Sequence, residues 1–434
     1  MIALLPVILF FTYRYSFYNP TRLVIFYVII STKTLGFISM ATMLLGGTDY
    51  GFFTVNMLIL VSIFFYKGWY RIDAYMAPLF VALIILLLYG LSAPVFRGHE
   101  SFIQALTASK GFLFYVIFFY MFVRKDEIDI YKVMNIIKFV GVYISVMKII
   151  YAVSPSLSFF ITPPEYHSSF DNLAYYVRVD YPTYMSLASF IYYADWQQKK
   201  ISTKKFFIMF VILILGNLFA QHAALTGATI LFIAMCYFIW HEGSTLNSYI
   251  LIKKGLSAIL FTIVLFSASY QLREIVVETY EATSSGEDGA LKSRKKFNKH
   301  REKAIKDRPL LGFGFIHKTS WIMKERYRNK YQNSFTERLE VTDSGYIDLL
   351  TKFGYLGVTY LLLTMGLYLI NVFKDESPNS YALVAAAYIL QYFLINKTWA
   401  VFSYAFGIIP LVIAFFMIYK FRSTVPTYKL YHTV

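Results

Sequence analysis

The chain has 434 residues, of which 58% are apolar and 20% aromatic, while only 15% are charged. These proportions exclude disordered, collagen-like and disulfide-stapled classes. With a mean hydropathy of +0.53, they point to a chain solvated by lipid, because a soluble domain carries roughly a quarter charged residues. The formal charge of +16 fits nucleic acid, anionic lipid or an anionic substrate equally, so the position of the charges has to decide. The lone Cys236 lies in an apolar run, which rules out a disulfide framework and predicts a packing residue. No cleavable signal is expected, since the opening MIALLPVILFFTY lacks a charged leading region and a small-residue cleavage site.

A helix needs about 20 residues to cross a hydrocarbon core of ~30 Å. Apolar runs predict spans near 21–45, 51–66, 74–94, 111–123, 134–152, 182–195, 205–220, 223–240, 253–270, 353–371, 381–396 and 400–419. The run 2–13 reads as either a further span or an interfacial helix. The expectation is an all-α polytopic membrane protein of about twelve spans (11–13), forming a single transmembrane domain over residues 1–434. Lys199, Lys200, Lys204 and Lys205, then Lys253 and Lys254, Arg124, Lys125 and Lys132, and Lys420 and Arg422 all fall on one side when the spans are threaded in order. By the positive-inside rule that side is the cytoplasm. The C-terminus is then cytoplasmic, and residues 96–110, the smaller loop 153–181 and the large loop 271–352 lie outside.

The large loop holds most of the chemical information. Residues 271–350 carry 16 of the chain's 41 Lys and Arg. The positive-inside rule governs short loops, so a basic outer loop of this length does not break it. A solvated face or contact with lipid phosphate would account for the charge. The sharper reading is a site for an anionic group such as a diphosphate, which the planar guanidinium fork binds bidentately.

Within SRKKFNKHREKAIKD (293–307), Phe297, Arg301, Ala304 and Arg308 recur at helical spacing, predicting an amphipathic helix on the membrane surface. RPLLGFGF (308–315) follows. Pro309 should end the helix at its preceding residue, while Gly312 and Gly314 permit close backbone approach. The G-x-G is no nucleotide fingerprint, lacking a preceding strand and a third glycine, and no Walker motif occurs, so energy from ATP is not expected. In TDSGYIDLLTKFGYLG (342–357), Asp343 and Ser344 stand where an N-cap is expected. Asp348 falls about one turn inside the helix, able to face solvent, a loop Arg or a substrate hydroxyl. Lys33 lies inside a predicted span, where snorkelling competes with a functional reading. No metal-ligand spacing occurs on an outer segment, and neither a metal nor a cofactor is expected.

A basic outer loop, then P-x-x-G-x-G, then a polar doublet opening a helix with G-Y-L-G, resembles the O-antigen polymerase and ligase superfamily. The resemblance covers about 70 residues by motif and the whole chain by topology. Arg294 stands 18 residues before Gly312, and Arg301 is separated from Gly312 by ten residues, two spacings the family uses. Arg178 in AYYVRVDYPTY answers to an Arg of the family's earlier outer loop. QHAALT (221–226) takes the place of a polar-basic motif, with His222 as its polar residue. The ligases carry a His-Asn pair where this chain has Asp343-Ser344, a departure that favours a polymerase.

The resemblance implies a GT-C-like, metal-independent glycosyltransferase in the bacterial inner membrane with a periplasmic active site. A growing glycan on undecaprenyl diphosphate would be transferred to the next lipid-linked repeat unit. Arg294 and Arg301 would bind the diphosphate and act in catalysis, with Arg178 and Arg308 as helpers. Asp343 would be the base or acceptor orienter, and His222 and Asp348 are further candidates. For Arg308, contact with lipid headgroups is the competing reading; for His222, a satisfied core position; for His300 and His317, solvation. The implied partners are the lipid-linked oligosaccharide as donor and acceptor and membrane lipid, with a chain-length regulator admitted and nucleic acid excluded. The rival readings are a ligase or other lipid-linked glycosyltransferase, and a flippase or transporter. Transporters show paired repeats and midplane polar residues, which are not evident here.

Overall fold

A computed structural model of the protein describes residues 4–32, 50–66, 75–153, 182–219, 223–240, 301–317, 345–373, 379–396, 400–403 and 405–422. All the regular structure among them is helical. In chain order the helices are α1 (Leu4–Tyr18), α2 (Pro20–Ser31), α3 (Tyr50–Phe64), α4 (Ala77–Phe96), α5 (Phe102–Ala108) and α6 (Val116–Val123). They continue with α7 (Ile130–Val153), α8 (Pro182–Gln197), α9 (Thr203–Phe219), α10 (Ala223–Trp240), α11 (Gly345–Phe373), α12 (Ser380–Ile395) and α13 (Ala405–Phe421). The predicted span at 253–270, SSGEDG and Lys33 fall outside the described residues.

Local sequence explains where the helices start. Asn19 caps α2 by accepting from the Arg22 amide at 3.1 Å, with Pro20 in the first turn, a position where a missing N–H costs nothing. Ser101 and Gln104 form a capping box at α5, and Asn379 caps α12 through the Tyr381 amide at 2.9 Å. Among the described residues, three helices are long and apolar enough to cross a membrane: Ala77–Phe96, Ile130–Ile150 and Gly345–Ile370. The pair Phe102–Ala108 and Phe112–Val123 makes a fourth if counted as one broken span, bent by 72°. The sequence reads only residues 111–123 of that pair as a span. Outward faces carry apolar stripes, such as exposed Val81, Ile85 and Leu88 on α4, at the spacing of one helix face. Such faces are solvated by lipid, and the protein is a membrane protein. α1, with 15 residues, reaches only ~22 Å, short of a full crossing.

One end of the bundle gathers basic residues. Arg124, following α6, binds Glu127 at 2.6 and 2.7 Å and donates to the Phe17 carbonyl at 3.3 Å. Thr21 at the start of α2 donates to the Glu127 carbonyl at 3.2 Å. Burial pushes the Glu127 carboxyl up, but the Arg124 hydrogen bonds and charge outweigh it and hold the carboxyl below its ordinary range. Lys138 binds Asp195 at 2.6 Å, Tyr381 donates to the same carboxylate, and Lys200 donates to the Tyr381 hydroxyl at 3.0 Å. Cys236 is buried in α10, in keeping with the packing role expected of it.

Candidate functional site

The opposite end is built around residues 309–315, strung between irregularities in two helices. The first is in α4. Pro94 has no N–H, so the Gly90 carbonyl one turn earlier loses its helical donor. The Phe315 amide donates to that carbonyl at 2.8 Å. Gly90 also lets the Phe315 ring lie against the helix, for a Cβ there would come within 2.4 Å of the ring.

The second irregularity is in α11. At Gly354 the backbone turns to φ 63°, ψ −174°, a left-handed φ that favours glycine. The break strands carbonyls on one side and amides on the other. The Thr351 and Lys352 carbonyls accept from the Phe313 and Gly314 amides at 2.9 and 2.8 Å. The Tyr355 and Leu356 amides donate to the Pro309 and Leu310 carbonyls at 2.7 and 3.0 Å. Buried backbone groups have to be paired, and here the loop pairs those of the broken helix.

Gly312 and Gly314 carry out the close approach expected of them. Their φ values are +59° and +83°, and a Cβ at either would come within 2.7 Å of α11 or α4 backbone. Phe315 completes a ring cluster with Phe112 and Phe353, with centroids 5.2–5.7 Å apart.

The helical turns 301–307 end before Pro309, as predicted. Their amphipathic pattern is real: Arg301, Ala304 and Ile305 are buried, while Glu302, Lys303, Lys306 and Asp307 are exposed. Arg301 therefore lies on the inward face. Arg308, half-buried, reaches His99 Nε2 at 3.2 Å and lies over the Phe313 ring at 5.0 Å. Since a guanidinium only donates, His99 accepts at Nε2 and carries its proton on Nδ1.

The polar strap 97–100 closes over the same loop. Arg97 donates to the Gly312 carbonyl at 2.9 Å and to the Tyr89 hydroxyl at 3.1 Å. Glu100 accepts from the His317 amide at 2.5 Å. Sequence reading passed over Arg97, His99 and Glu100. The signal was FRGHES (96–101), a dense polar group opening a short outer segment, but its partners lie more than 200 residues away.

Asp348 is fully buried one turn inside α11. One carboxylate oxygen accepts from Lys352 Nζ at 2.7 Å and from the Ser403 hydroxyl; the other has no hydrogen-bond partner among the described residues. Solvent is therefore not what Asp348 meets, and among the described residues its partners are Lys352 and Ser403. Nearby, Asn396 accepts the Tyr346 amide on its backbone carbonyl at 3.2 Å. Its buried side-chain amide has no hydrogen-bond partner among the described residues and lies against Gly345, where a Cβ would come within 1.9 Å of the Asn396 oxygen. Each unpaired buried group of this kind costs about 1–3 kcal/mol. Asp343, Arg294, Arg178 and His222 lie outside the described residues.

Arg308, the two loop glycines and the break in α11 thus meet at one end of the bundle, directly after the turns that carry the buried Arg301. The arrangement brings the Arg308 guanidinium to a loop whose backbone is fixed at both edges, and guanidinium charge suits stabilising an anionic group.

Residues 184–362 match the family model Wzy_C, described as O-antigen ligase. The match runs from α8 to the middle of α11 and takes in the whole of the loop 309–315; Arg97 and Arg178 lie before it. This part of the chain is similar to that family, in keeping with the resemblance of its motifs to the O-antigen polymerase and ligase superfamily. No curated protein matches the chain.

Proposed function

We propose, taking the O-antigen ligase-type domain at residues 184–362 as the premise, that the protein is a surface-polysaccharide polymerase. It transfers a growing undecaprenyl-diphosphate-linked glycan to a hydroxyl of the next lipid-linked repeat unit, on the periplasmic face of the bacterial inner membrane. The observation that carries the reading is the double docking of 309–315, on the Pro94-freed carbonyl and in the Gly354 break. It ties the segment that follows Arg301 and Arg308 to residues 351–356 of α11, and so supports a site shared by those arginines and the residues ahead of α11.

In the reaction the bond between the anomeric carbon and the diphosphate oxygen breaks, and the acceptor hydroxyl oxygen takes the carbon. Negative charge grows on the departing diphosphate, so guanidinium groups beside it stabilise the transition state more than the ground state. Arg294 and Arg301 are assigned to that charge, with Arg178 and Arg308 assisting. Asp343 orients the acceptor hydroxyl and takes its proton, a task that demands hydrogen-bond reach. Arg97, His99 and Glu100 position the loop. The basic end around Arg124 and Lys200 faces the cytoplasm under this reading, in accord with the positive-inside rule, and puts the loop 309–315 outside.

A second reading, a ligase delivering finished glycan to another acceptor, has the family's description in its favour. Asp343-Ser344, where the ligases carry His-Asn, supports the polymerase instead. The two separate in the surface-glycan ladder of a deletion strain. A single repeat unit left on the anchor means a polymerase. An anchor bare of repeat units, with lipid-linked polymer accumulating, means a ligase.

A further inference from the structure

On the flank of the bundle, α7, α8 and α9 enclose a groove of about 490 Å³. Its α7 wall is one stripe of residues, from Asn135 through Phe139, Val142 and Val146 to Met147. At ~1.5 Å per residue the stripe runs ~18 Å along the helix axis, a shape that takes an extended hydrocarbon chain rather than a sugar ring. The polar members of α7, Asn135 and Lys138, stand at the end near the start of that helix. Met209 of α9 forms part of the lining, and Lys205, four residues earlier, shares its helix face.

Charge at this mouth is one-sided. α9 opens with Thr203, Lys204 and Lys205 and has no acidic residue in its first turn, and both lysines are exposed. Asp195, the partner of the groove's Lys138, is occupied by that lysine and by Tyr381. Asp129 is paired with Lys132 at 3.3 Å, and Glu127 with Arg124. Ser202 already accepts the Lys205 amide at 3.3 Å, so the attraction for a phosphate here comes from the two exposed lysines. This polar end is also remote from the loop 309–315: Phe112, which touches Phe315, and Arg124, which precedes α7, cap opposite ends of one helical run.

We infer that this groove is a binding site for an anionic glycerophospholipid of the leaflet at the Arg124 end. One acyl chain lies along the Phe139–Val142–Val146 stripe, and the phosphate meets the Lys204 and Lys205 side chains. The site is separate from the substrate's diphosphate and does not depend on the reading of the catalytic end.

The test uses the full-length protein in detergent, followed by its melting temperature during titration with dioleoyl phosphatidylglycerol, dioleoyl phosphatidylcholine or undecaprenyl phosphate. Phosphatidylglycerol is expected to act at a concentration roughly tenfold lower than phosphatidylcholine. The variant Lys204→Glu/Lys205→Glu should lose that preference. Val142→Trp, which fills the wall, should lose the response altogether while melting like wild type without lipid; Met209→Trp repeats the measurement from the other wall. Equal midpoints for the two phospholipids, a preference for undecaprenyl phosphate, or an unchanged response in the Trp variants would each overturn the inference.

Discussion

The amide of Phe315 donates to the carbonyl of Gly90 at 2.8 Å, a carbonyl left open because Pro94 has no N–H to offer it. A helix imperfection on α4 thus receives the end of the loop whose start is held in the break of α11. The loop is fixed through backbone at both edges, and residues on either side of it inherit that placement.

Restoring the missing donor is therefore a direct perturbation. In Pro94→Ala the new amide competes with Phe315 for the Gly90 carbonyl, so α4 gains a helical bond while the loop loses one. Polymer formation is expected to fall roughly 10–100-fold, the effect of a small misplacement, with the melting temperature unchanged or raised. Wild-type polymer from this variant would mean that the bond does not position the site.

The break at Gly354 makes a sharper test. An Ala there would hold an unfavourable φ and bring its Cβ within 2.4 Å of the Leu310 backbone, which cannot yield as a side-chain tip can. A loss of about 1–3 kcal/mol and of polymer is expected. Gly227, inside α10, has nothing within 4 Å of the Cβ position. Gly227→Ala should gain roughly 0.5–1 kcal/mol of stability. Thermal melts of the two variants side by side check both.

Much of this architecture is legible in the sequence. The apolar runs mark the helices, Pro309 ends the turns 301–307, and the pair Gly312 and Gly314 announces close approach. The break in α11 is not legible, because G-Y-L-G (354–357) reads as a motif within a continuous apolar helix until a partner for its stranded carbonyls is known. Pro94 likewise reads as a tolerated proline near a span end. Arg97 and His99 were invisible as site neighbours for the same reason: each acts on a residue distant in sequence. From sequence Asp348 is able to face solvent, a loop Arg or a substrate hydroxyl; Lys352 and Ser403, from α11 itself and the segment before α13, are its partners among the described residues.

At the basic end, acid should weaken the Arg124–Glu127 pair. Glu127 has its carboxyl held below the ordinary value of 4.5 by Arg124. Its contribution is complete above that ordinary value and is lost as pH falls through the lower folded one. Wild-type melting temperature should therefore include a decline below about pH 4.5 that Glu127→Gln lacks. Identical acid profiles for the two proteins would remove Glu127 from the account.

Charge stabilisation is assigned to guanidinium groups, so polymerisation in membranes is expected to survive a divalent-metal chelator. Loss of activity that one divalent ion restores would replace Arg with metal in the scheme.

The central claim is that Arg294 and Arg301 act on the diphosphate while Asp343 serves the acceptor. It is tested most directly by complementing a deletion strain with Arg294→Ala, Arg301→Ala or Asp343→Ala and reading the surface-glycan ladder, with membrane insertion verified by blot. The account predicts normal insertion and loss of all chains longer than one repeat unit for each variant. Normal long chains from both Arg variants would contradict it.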